Sequence, residues 1–316
     1  MSDGNEQDGF TAGRGIILMI AGVFVMSVMD MMIKWMSAGY PSIEIVFFRT
    51  LFGLIPLFAI VYWTGGLRQL RTRRWKLQLA RGVTGTGATV GFFFALGKLE
   101  LAEVVALAFA SPLFVTALSV PVLGEQVGFR RVCAVLVGFV GVLIIVRPGA
   151  DVFSPYALLP IGASFCFALA MVLGRRLSST DSAVSIVFYT TLAALTVSAI
   201  GTPSVWVMPV PADWSLLAAL GLLGGCGQFL VTSAFRAAPA AIVAPFEYSA
   251  LIWATLFGYV IWAEVPDGMT LLGGAIVIAA GLYIGYRETR LGRRPQGPGV
   301  MPDSPADGPP ADGKGA

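Results

Sequence analysis

The hydrophobic residues of this chain form long uninterrupted stretches, which short polar segments separate. A helix needs about 20 apolar residues to cross a lipid bilayer, and ten stretches come close to that length. The pattern therefore predicts an all-α membrane protein with ten transmembrane helices. The predicted spans, numbered in chain order, cover residues 15–37, 41–63, 77–97, 101–123, 130–147, 155–177, 181–201, 213–235, 240–262 and 269–286.

The composition of the chain agrees with this pattern. Of the 316 residues, 56% are hydrophobic and 12% are charged, whereas about a quarter of the residues of a soluble domain are charged. Residues 1–14 are polar and acidic, without the basic start of a cleavable signal peptide, and residues 288–316 are rich in Arg, Pro, Gly and Asp. Because neither segment can bury a core, both are predicted to be disordered tails.

Two of the predicted spans share one sequence pattern, which indicates an internal repeat. Residues 101–125 and 241–264 each begin with small residues, carry a proline inside the span (Pro112 and Pro245) and end on a glutamate. Aligning the two glutamates also aligns Ala102 with Ala241 and Thr116 with Thr255. Further upstream, after the alignment is shifted by one residue, Ser42 aligns with Ser182 and Thr50 with Thr190.

The repeat predicts two units of five helices each, residues 15–147 and 148–287. An odd number of spans turns the second unit upside down relative to the first, and inverted repeats of this kind surround a central site in transporters. Rocking one unit against the other exposes such a site to each side of the membrane in turn. The sequence therefore predicts two inverted five-helix repeats around a central cavity, and transport as the function.

The basic residues indicate the orientation in the membrane. Most of the 21 lysines and arginines lie in segments that are cytoplasmic if the N-terminus is cytoplasmic, and such an excess marks the cytoplasmic side. The prediction is a multi-pass protein of the cytoplasmic (inner) membrane with both termini in the cytoplasm. Membrane lipid is accordingly a predicted partner.

Charged residues inside the predicted spans are the first candidates for a functional site, because an ion in the bilayer is costly and is rarely kept without a role. Asp30 and Lys34 lie on one face of span 1, and span 2 carries Glu44 and Arg49. From their depths along the helices, we predict two ion pairs, Asp30 with Arg49 and Lys34 with Glu44. These pairs would form an anion or zwitterion site or an outer gate. The alternatives are a structural clamp, or a bond between Asp30 and Lys34 within the helix.

Glu247 is a carboxylate well inside predicted span 9 and has no evident partner nearby in the sequence. Pro245 before it loosens the helix, which membrane proteins tolerate where the backbone lines a cavity. Glu247 is predicted to balance a cationic group of the substrate or to titrate in proton coupling, with Tyr248 as a hydrogen-bond donor beside it. The alternative is that Glu247 pairs with Arg49 or Arg81.

Further polar and aromatic side chains belong to the predicted substrate site. Gln228, among the glycines of span 8, is predicted to line the cavity, and Tyr189 is one of several aromatic residues able to stack on a flat substrate. Glu125 and Glu264 lie at span ends, where a charge reaches water and needs no special role. The GxxxG pairs serve either packing within the chain or the seam of a homodimer; they are Gly87 with Gly91 and Gly281 with Gly285.

Several other functions are not supported by the sequence. The chain has no histidine, no HExxH-type helix and no pair of intramembrane aspartates, so an intramembrane enzyme is not predicted. The three cysteines lie in apolar spans and are predicted to be small core residues rather than a disulfide or metal site. No metal or cofactor is predicted to bind, and no nucleic acid, because the basic residues are spread over membrane-proximal loops. A non-transporting membrane scaffold is the remote alternative.

These features together resemble the EamA-type members of the drug/metabolite transporter superfamily. The resemblance rests on SPLFVTALSVPVLGE and GFVGVLIIVRPG in the first half and on APFEY and WAE in the second. The segments MDMMIKW and PSIEIVFFRT are similar to the branch that holds the S-adenosylmethionine uptake transporters, with the bacterial riboflavin transporters as relatives. The resemblance covers about residues 15–287 and implies ten helices around a central cavity, with spans 5 and 10 at the periphery.

The resemblance also implies secondary transport of a small-molecule substrate. We expect an S-adenosylmethionine-like, zwitterionic solute with a ring, whose two charges Glu247 and Arg49 would hold. The alternatives are a riboflavin importer and an exporter of amino acids or other metabolites, because related members move such solutes in either direction.

Overall fold

The computed structural model describes residues 3–64, 70–124, 128–148, 154–238 and 240–292. Over these ranges the chain is helical, and no β-strand occurs in them. The all-α fold that the hydrophobic pattern predicts is therefore confirmed. Glu125, which the sequence places at a span end, lies outside the described residues.

The first half of the chain contains six of the described helices, and most of them lie within a few residues of a predicted span. Predicted span 4 is divided between two helices. The six are α1 (Asp3–Met36), α2 (Ser42–Thr64), α3 (Trp75–Leu96), α4 (Leu101–Ala108), α5 (Ser111–Leu123) and α6 (Phe129–Val146).

The second half follows the same order, and again one predicted span, the ninth, is divided. A short 3-10 segment, Ala244–Tyr248, separates its two helices. The helices are α7 (Leu158–Leu177), α8 (Ala183–Gly201), α9 (Asp213–Ala237), α10 (Ala240–Val243), α11 (Ser249–Trp262) and α12 (Gly268–Gly292).

The two ends of the chain differ in part from the prediction. The sequence predicts disorder through residue 14, whereas helix α1 begins at Asp3. Residues 3–13 contain no proline, so no residue in this segment forces the helix to begin later. Helix α12 continues to Gly292, past the predicted start of the second tail at residue 288. The rest of that tail, residues 293–316, lies outside the described ranges.

Seven of the described helical segments are long and apolar enough to cross a membrane. Val132–Val146 is a shorter apolar helix. Together these segments make the chain a multi-pass membrane protein. The seven are Gly13–Met36, Trp75–Leu96, Leu101–Leu123, Pro155–Leu177, Val184–Ser204, Asp213–Ala237 and Gly268–Tyr286.

The two divided spans break at prolines. The fourth breaks after Ala108, and Pro112 stands in the first turn of α5. The ninth breaks over the 3-10 segment, which contains Pro245. Proline has no backbone N–H to donate and its ring clashes with the preceding turn, so the α-helical ladder is interrupted there. The irregular backbone of the second break carries Glu247, whose side chain is half-buried.

The closest helix packing joins the two halves of the chain. Helix α1 packs along α9, α3 along α7 and α6 along α12, while α2 contacts both α8 and α9. Glycines permit these approaches, as small residues do in membrane proteins. A Cβ atom built on Gly221 of α9 would meet Phe52 and Gly53 of α2, and one built on Gly273 of α12 would meet the backbone of Gly141. The core therefore lies between the halves.

Candidate functional site

Arg49 of α2 lies where four helices of the two halves meet. Its Nε atom donates a hydrogen bond to the Sδ atom of Met29 at 3.4 Å, and its guanidinium lies 5.5 Å from the centroid of the Phe93 ring. A Cβ atom built on Gly224 would come within 3.2 Å of the guanidinium. Helices α1, α3 and α9 thus hold this cation with uncharged groups, one of them the face of an aromatic ring.

Asp30 follows Met29 on α1 and is half-buried. Its carboxylate interacts electrostatically with the Arg49 guanidinium, but no salt bridge joins the two among the residues that the structure describes. The direct ion pair that the sequence predicts is not formed, because the guanidinium is held by Met29 and Phe93. Both charges are therefore near each other and still available to a ligand.

Lys34 pairs with Glu264 and not with Glu44. Its Nζ atom donates to Oε1 of Glu264 at 2.5 Å and to the carbonyl oxygen of Leu99 at 2.7 Å. The other carboxylate oxygen of Glu264 accepts the backbone N–H of Leu101 at 3.1 Å, at the start of α4. The predicted Lys34–Glu44 pair is wrong, because the ends of α11 and α3 reach Lys34 instead. Glu264, for which we predicted no role, joins α1, α4 and α11.

Glu44 is fully buried in the first turn of α2. Its Oε2 atom accepts a hydrogen bond from the backbone N–H of Val207 at 3.1 Å, whereas its Oε1 atom has no partner among the described residues. Val207 lies between α8 and α9. Glu44 therefore links the two halves at one end of α2, away from Arg49.

Glu247 lies in the 3-10 segment, which packs against α1. Its side chain is half-buried and forms no hydrogen bond or ion pair with any residue in the described ranges. Of the two arginines considered as partners, Arg81 donates to the carbonyl oxygen of Ile186 and to Thr190, and Arg49 is held as described above. The alternative of an Arg49 or Arg81 partner is therefore wrong, and this carboxylate is available to a ligand.

Two aromatic residues that follow this carboxylate in the chain, Tyr248 and Trp253, pack against other elements. The Tyr248 ring packs edge-on against Phe109 with centroids 4.8 Å apart, and its hydroxyl faces Gly281 of α12. Trp253 packs edge-on against Phe24 of α1 with centroids 4.9 Å apart. The Nε1 atom of Trp253 is buried and has no hydrogen-bond partner within the described residues, so this donor is unsatisfied there.

The described side-chain contacts of Tyr189 and Gln228 do not involve these charges. Tyr189 is half-buried on α8, and its ring contacts Phe188 with centroids 5.7 Å apart. Gln228 is exposed on α9, and its amide nitrogen lies 3.5 Å from the hydroxyl of Thr232, one turn along the same helix. Neither contact joins these residues to Arg49 or to a carboxylate.

Sequence reasoning missed two groups that shape the site, Phe93 and Glu264. Phe93 is one of three consecutive phenylalanines, and nothing in the sequence shows which of them faces Arg49. Glu264 had a usable signal: predicted spans 1 and 9 run in the same direction, so Lys34 and Glu264 belong to the same end of the molecule.

Comparison with known proteins identifies the family to which this chain is similar. A sequence profile of the EamA-like transporter family matches the chain twice, over residues 13–147 and 154–286. One crystal structure superposes with a TM-score of 0.61 at 20% identity, covering 89% of this chain and 98% of that chain. At that identity the likeness concerns the fold.

Three curated relatives have names that state what they carry. The pseudopaline exporter CntI of Pseudomonas aeruginosa (strain UCBPP-PA14) is 35% identical over 271 residues, 84% of this chain and 94% of the relative. The S-adenosylmethionine uptake transporter of Rickettsia bellii (strain RML369-C) is 30% identical over 280 residues, 89% of this chain and 96% of the relative. The riboflavin transporter of Vibrio cholerae serotype O1 is 29% identical over 285 residues, 89% and 96% of the two chains.

Proposed function

Because this chain belongs to the EamA-like transporter family, we propose that it moves a small zwitterionic metabolite with a ring, similar to S-adenosylmethionine, across the cytoplasmic membrane by alternating access. The chain is a membrane transporter and not an enzyme. One observation carries the choice of substrate. Among the described residues, no salt bridge joins Arg49 to the carboxylate of Asp30 or Glu247, and the guanidinium is held by uncharged groups.

A zwitterion with a ring matches these groups. Its carboxylate would take the guanidinium of Arg49, since arginine binds carboxylates through paired hydrogen bonds. Its cationic group would lie against Asp30 or Glu247, and its ring against aromatic side chains. Tyr248, Tyr189 and Gln228 stay proposed as lining residues. Lys34 and Glu44 are occupied by the contacts described above, and we propose no substrate contact for them.

The names of the relatives support a second candidate. One relative at 35% identity is named an exporter, and one at 29% identity a riboflavin transporter. The second candidate is therefore a carrier of the same fold that exports a metabolite or imports riboflavin. The charged groups are equally suited to loading from either side, so the direction of transport has to be measured.

For the architecture we propose ten membrane crossings in two inverted repeats, residues 15–147 and 148–287, around a central cavity. The two separate family matches, residues 13–147 and 154–286, support two repeats. The helix contacts support them as well. If α1, α3 and α6 of the first half correspond to α7, α9 and α12 of the second, the contact of α1 with α9 corresponds to the contact of α7 with α3. The contact of α6 with α12 joins two corresponding helices. Both divided spans also end on a left-handed residue, Gly124 (φ 72°) and Ala263 (φ 54°).

We also propose that the protein lies in the inner membrane with both termini cytoplasmic, as the distribution of basic residues favours. A homodimer has little support from the GxxxG pairs. Cβ atoms built on Gly87 and Gly91 would contact Cys166 and Ala163 of the same chain, and one built on Gly281 would contact Tyr248. These glycines are used within the chain.

The transport proposal is tested with purified protein in proteoliposomes. Radiolabelled S-adenosylmethionine, riboflavin and a panel of amino acids are offered with and without a proton gradient, and counterflow from preloaded vesicles detects transport in either direction. We expect saturable transport of a zwitterionic solute, and its loss in Glu247→Gln and Arg49→Met.

The matched control is Glu100→Gln, because Glu100 stands in a loop before α4 and makes no capping hydrogen bond. It should transport as the unmodified protein does. Transport of riboflavin alone would favour the second candidate. Unchanged transport in both Glu247→Gln and Arg49→Met would contradict the proposed site.

A further inference from the structure

Two hydrogen-bonded clasps join the halves of the chain. In the first clasp, the Tyr40 hydroxyl donates to Oδ2 of Asp213 at 2.6 Å and accepts the backbone N–H of Val210 at 3.2 Å. The bond from the Val207 N–H to Glu44 belongs to the same clasp. The corner between α1 and α2 thus holds the segment that connects α8 to α9.

The second clasp joins the corresponding elements with the halves exchanged, and here the corner supplies the acceptor. The Thr72 hydroxyl donates to Oδ2 of Asp181 at 2.6 Å, and the Gln78 amide donates to the same oxygen at 2.7 Å. The Ser185 hydroxyl donates to the carbonyl oxygen of Leu70 at 3.4 Å. Here the corner between α7 and α8 holds the segment that connects α2 to α3.

The positions in the two clasps correspond. Tyr40 and Asp181 both stand four residues past the end of a helix, α1 or α7, and Glu44 and Ser185 are both the third residue of the next helix. The number of residues from Tyr40 to Asp181 equals the number from Thr72 to Asp213. Tyr40 in the first half therefore corresponds to Asp181 in the second, and Thr72 corresponds to Asp213. Each of the two hydroxyl–carboxylate bonds joins one residue of each corresponding pair.

The two clasps lie at opposite ends of α2. Glu44 is in the first turn of this helix, while Leu70 and Thr72 follow its last residue, Thr64. A helix of 23 residues is roughly 35 Å long, enough to separate the two faces of a bilayer. The corner side chains are buried at both ends, with exposures of 8% for Tyr40 and 9% for Asp181. Each end of α2 is therefore tied to the other half of the chain by a hydrogen bond to a buried corner side chain.

On the basis of the alternating access proposed above, we propose that the two clasps are the latches of the two gates. Breaking the Tyr40–Asp213 bond opens the interior at one face, and breaking the Thr72–Asp181 bond opens it at the other. Both latches use one hydroxyl–carboxylate bond, formed between a corner of one half and the connecting segment of the other half. Removing one latch lowers the free energy cost of opening at its own end and so shifts the population toward the state open there.

The test uses two isosteric substitutions, Tyr40→Phe and Thr72→Val, each of which removes one hydroxyl. The reporter is Asp30→Cys in a chain whose native cysteines are replaced by alanine. Labelling by a membrane-impermeant thiol reagent is measured from the face of the first clasp and from the face of the second, without substrate. The ratio of the two rates reports how often each gate opens.

We expect Tyr40→Phe to raise the ratio of first-face to second-face labelling about fivefold, the effect of losing a typical hydrogen bond on a two-state equilibrium. Thr72→Val should lower it by about the same factor, and the double variant should return near the original ratio. The matched controls are Ser204→Ala and Ser179→Ala, which remove exposed hydroxyls that donate to the carbonyl oxygens of Gly201 and Arg176, three residues before them.

A ratio unchanged by both single variants, in protein that is folded, would overturn the latch proposal even if transport is found. The expected ratios without transport of any offered solute would leave the latches intact and contradict the proposed substrate. Should the Asp30→Cys chain fail to fold, hydrogen exchange of the native-cysteine protein replaces it. Tyr40→Phe must then raise exchange over residues 205–210 and leave residues 70–74 unchanged; equal increases in both segments would count against separate gates.

Discussion

Lys34 shows how a charge in the membrane region is satisfied here. Its side chain is 9% exposed, and its ammonium group donates to a carboxylate and a carbonyl oxygen and lies 5.1 Å from the centroid of the Trp262 ring. Removing one partner of such a pair leaves the other charge without compensation, which costs more stability than the intact pair contributes. Lys34 is therefore a structural residue by this geometry.

We predict that Lys34→Met lowers the unfolding free energy by about 3 kcal/mol, because Glu264 is left largely buried without its cation. Thermal unfolding in detergent measures the effect. The matched control is Lys98→Met, since Lys98 is exposed and its ammonium group lies over the rings of Phe94 and Tyr156 without a salt bridge among the described residues. Equal melting temperatures for the two variants would refute the structural role of Lys34.

Sequence reasoning at this scale selected the unusual charges but paired them incorrectly. The depths of Lys34 and Glu44 are equal along their helices, and depth is what a sequence provides. The choice of partner depends on how each helix is rotated about its axis and on which third helix enters the gap. The end of α11 enters near Lys34, and the segment after α8 enters near Glu44. Neither approach is encoded in the spacing of residues within spans 1 and 2.

At the scale of elements, the 3-10 segment before α11 is positioned by α12. The Tyr248 hydroxyl occupies the space that a side chain at Gly281 would need, and its ring rests on Phe109. Because Glu247 is the preceding residue, a shift of Tyr248 moves the carboxylate as well. The glycine on α12 is thus a requirement of the site, although the sequence presents it as a generic packing motif.

We predict that Gly281→Ala destabilises the protein by about 1–3 kcal/mol, as overpacking does, and reduces transport. Gly285→Ala is the matched control, because a Cβ atom there meets nothing within 4 Å. Adding Tyr248→Phe to Gly281→Ala removes the hydroxyl and should restore most of the lost melting temperature. A double variant no more stable than Gly281→Ala alone would show that another contact causes the loss.

The start of α12 has its own electrostatic anchor. Asp267 accepts the backbone N–H of Thr270 at 2.8 Å and pairs with Arg147, the residue that ends α6. The hydrogen bond from Arg147 lowers the pKa of Asp267 from its ordinary value of 3.8 to about 2. A carboxyl group with a lowered pKa in the folded protein stabilises it above the unfolded pKa, and the contribution disappears as the pH falls through the folded value.

We therefore predict that Asp267→Asn lowers the melting temperature at pH 7 and that the difference from the unmodified protein shrinks between about pH 4 and pH 2. Thermal scans of both proteins across this range measure it. The effect should be modest, because the Asp267 side chain is 49% exposed and solvent screens exposed pairs. A difference that is constant with pH would mean that the cap alone, and not the charge, is responsible.

At the scale of the whole molecule, periodic hydrophobicity predicted the helices well, because the requirement for apolar residues in lipid applies to each span separately. Pro245 also predicted an irregular backbone in the ninth span. The break after Ala108 was not predicted, since one proline in the first turn of a helix can be accommodated without interruption. The packing of α1 on α9 and of α3 on α7 follows from long-range fit that only the folded chain shows.

The inverted arrangement makes a prediction about sidedness. Ser204 follows α8 on the side of the first clasp, and Ser179 lies in the corner of the second clasp, so the two exposed serines belong to opposite faces. In a cysteine-free chain, Ser204→Cys should react with a membrane-impermeant thiol reagent in intact cells, and Ser179→Cys only after permeabilisation. Labelling of both from one face would contradict the inverted repeats. The reverse pattern would keep the inversion and place both termini outside, because the sign of the orientation depends only on the basic loops.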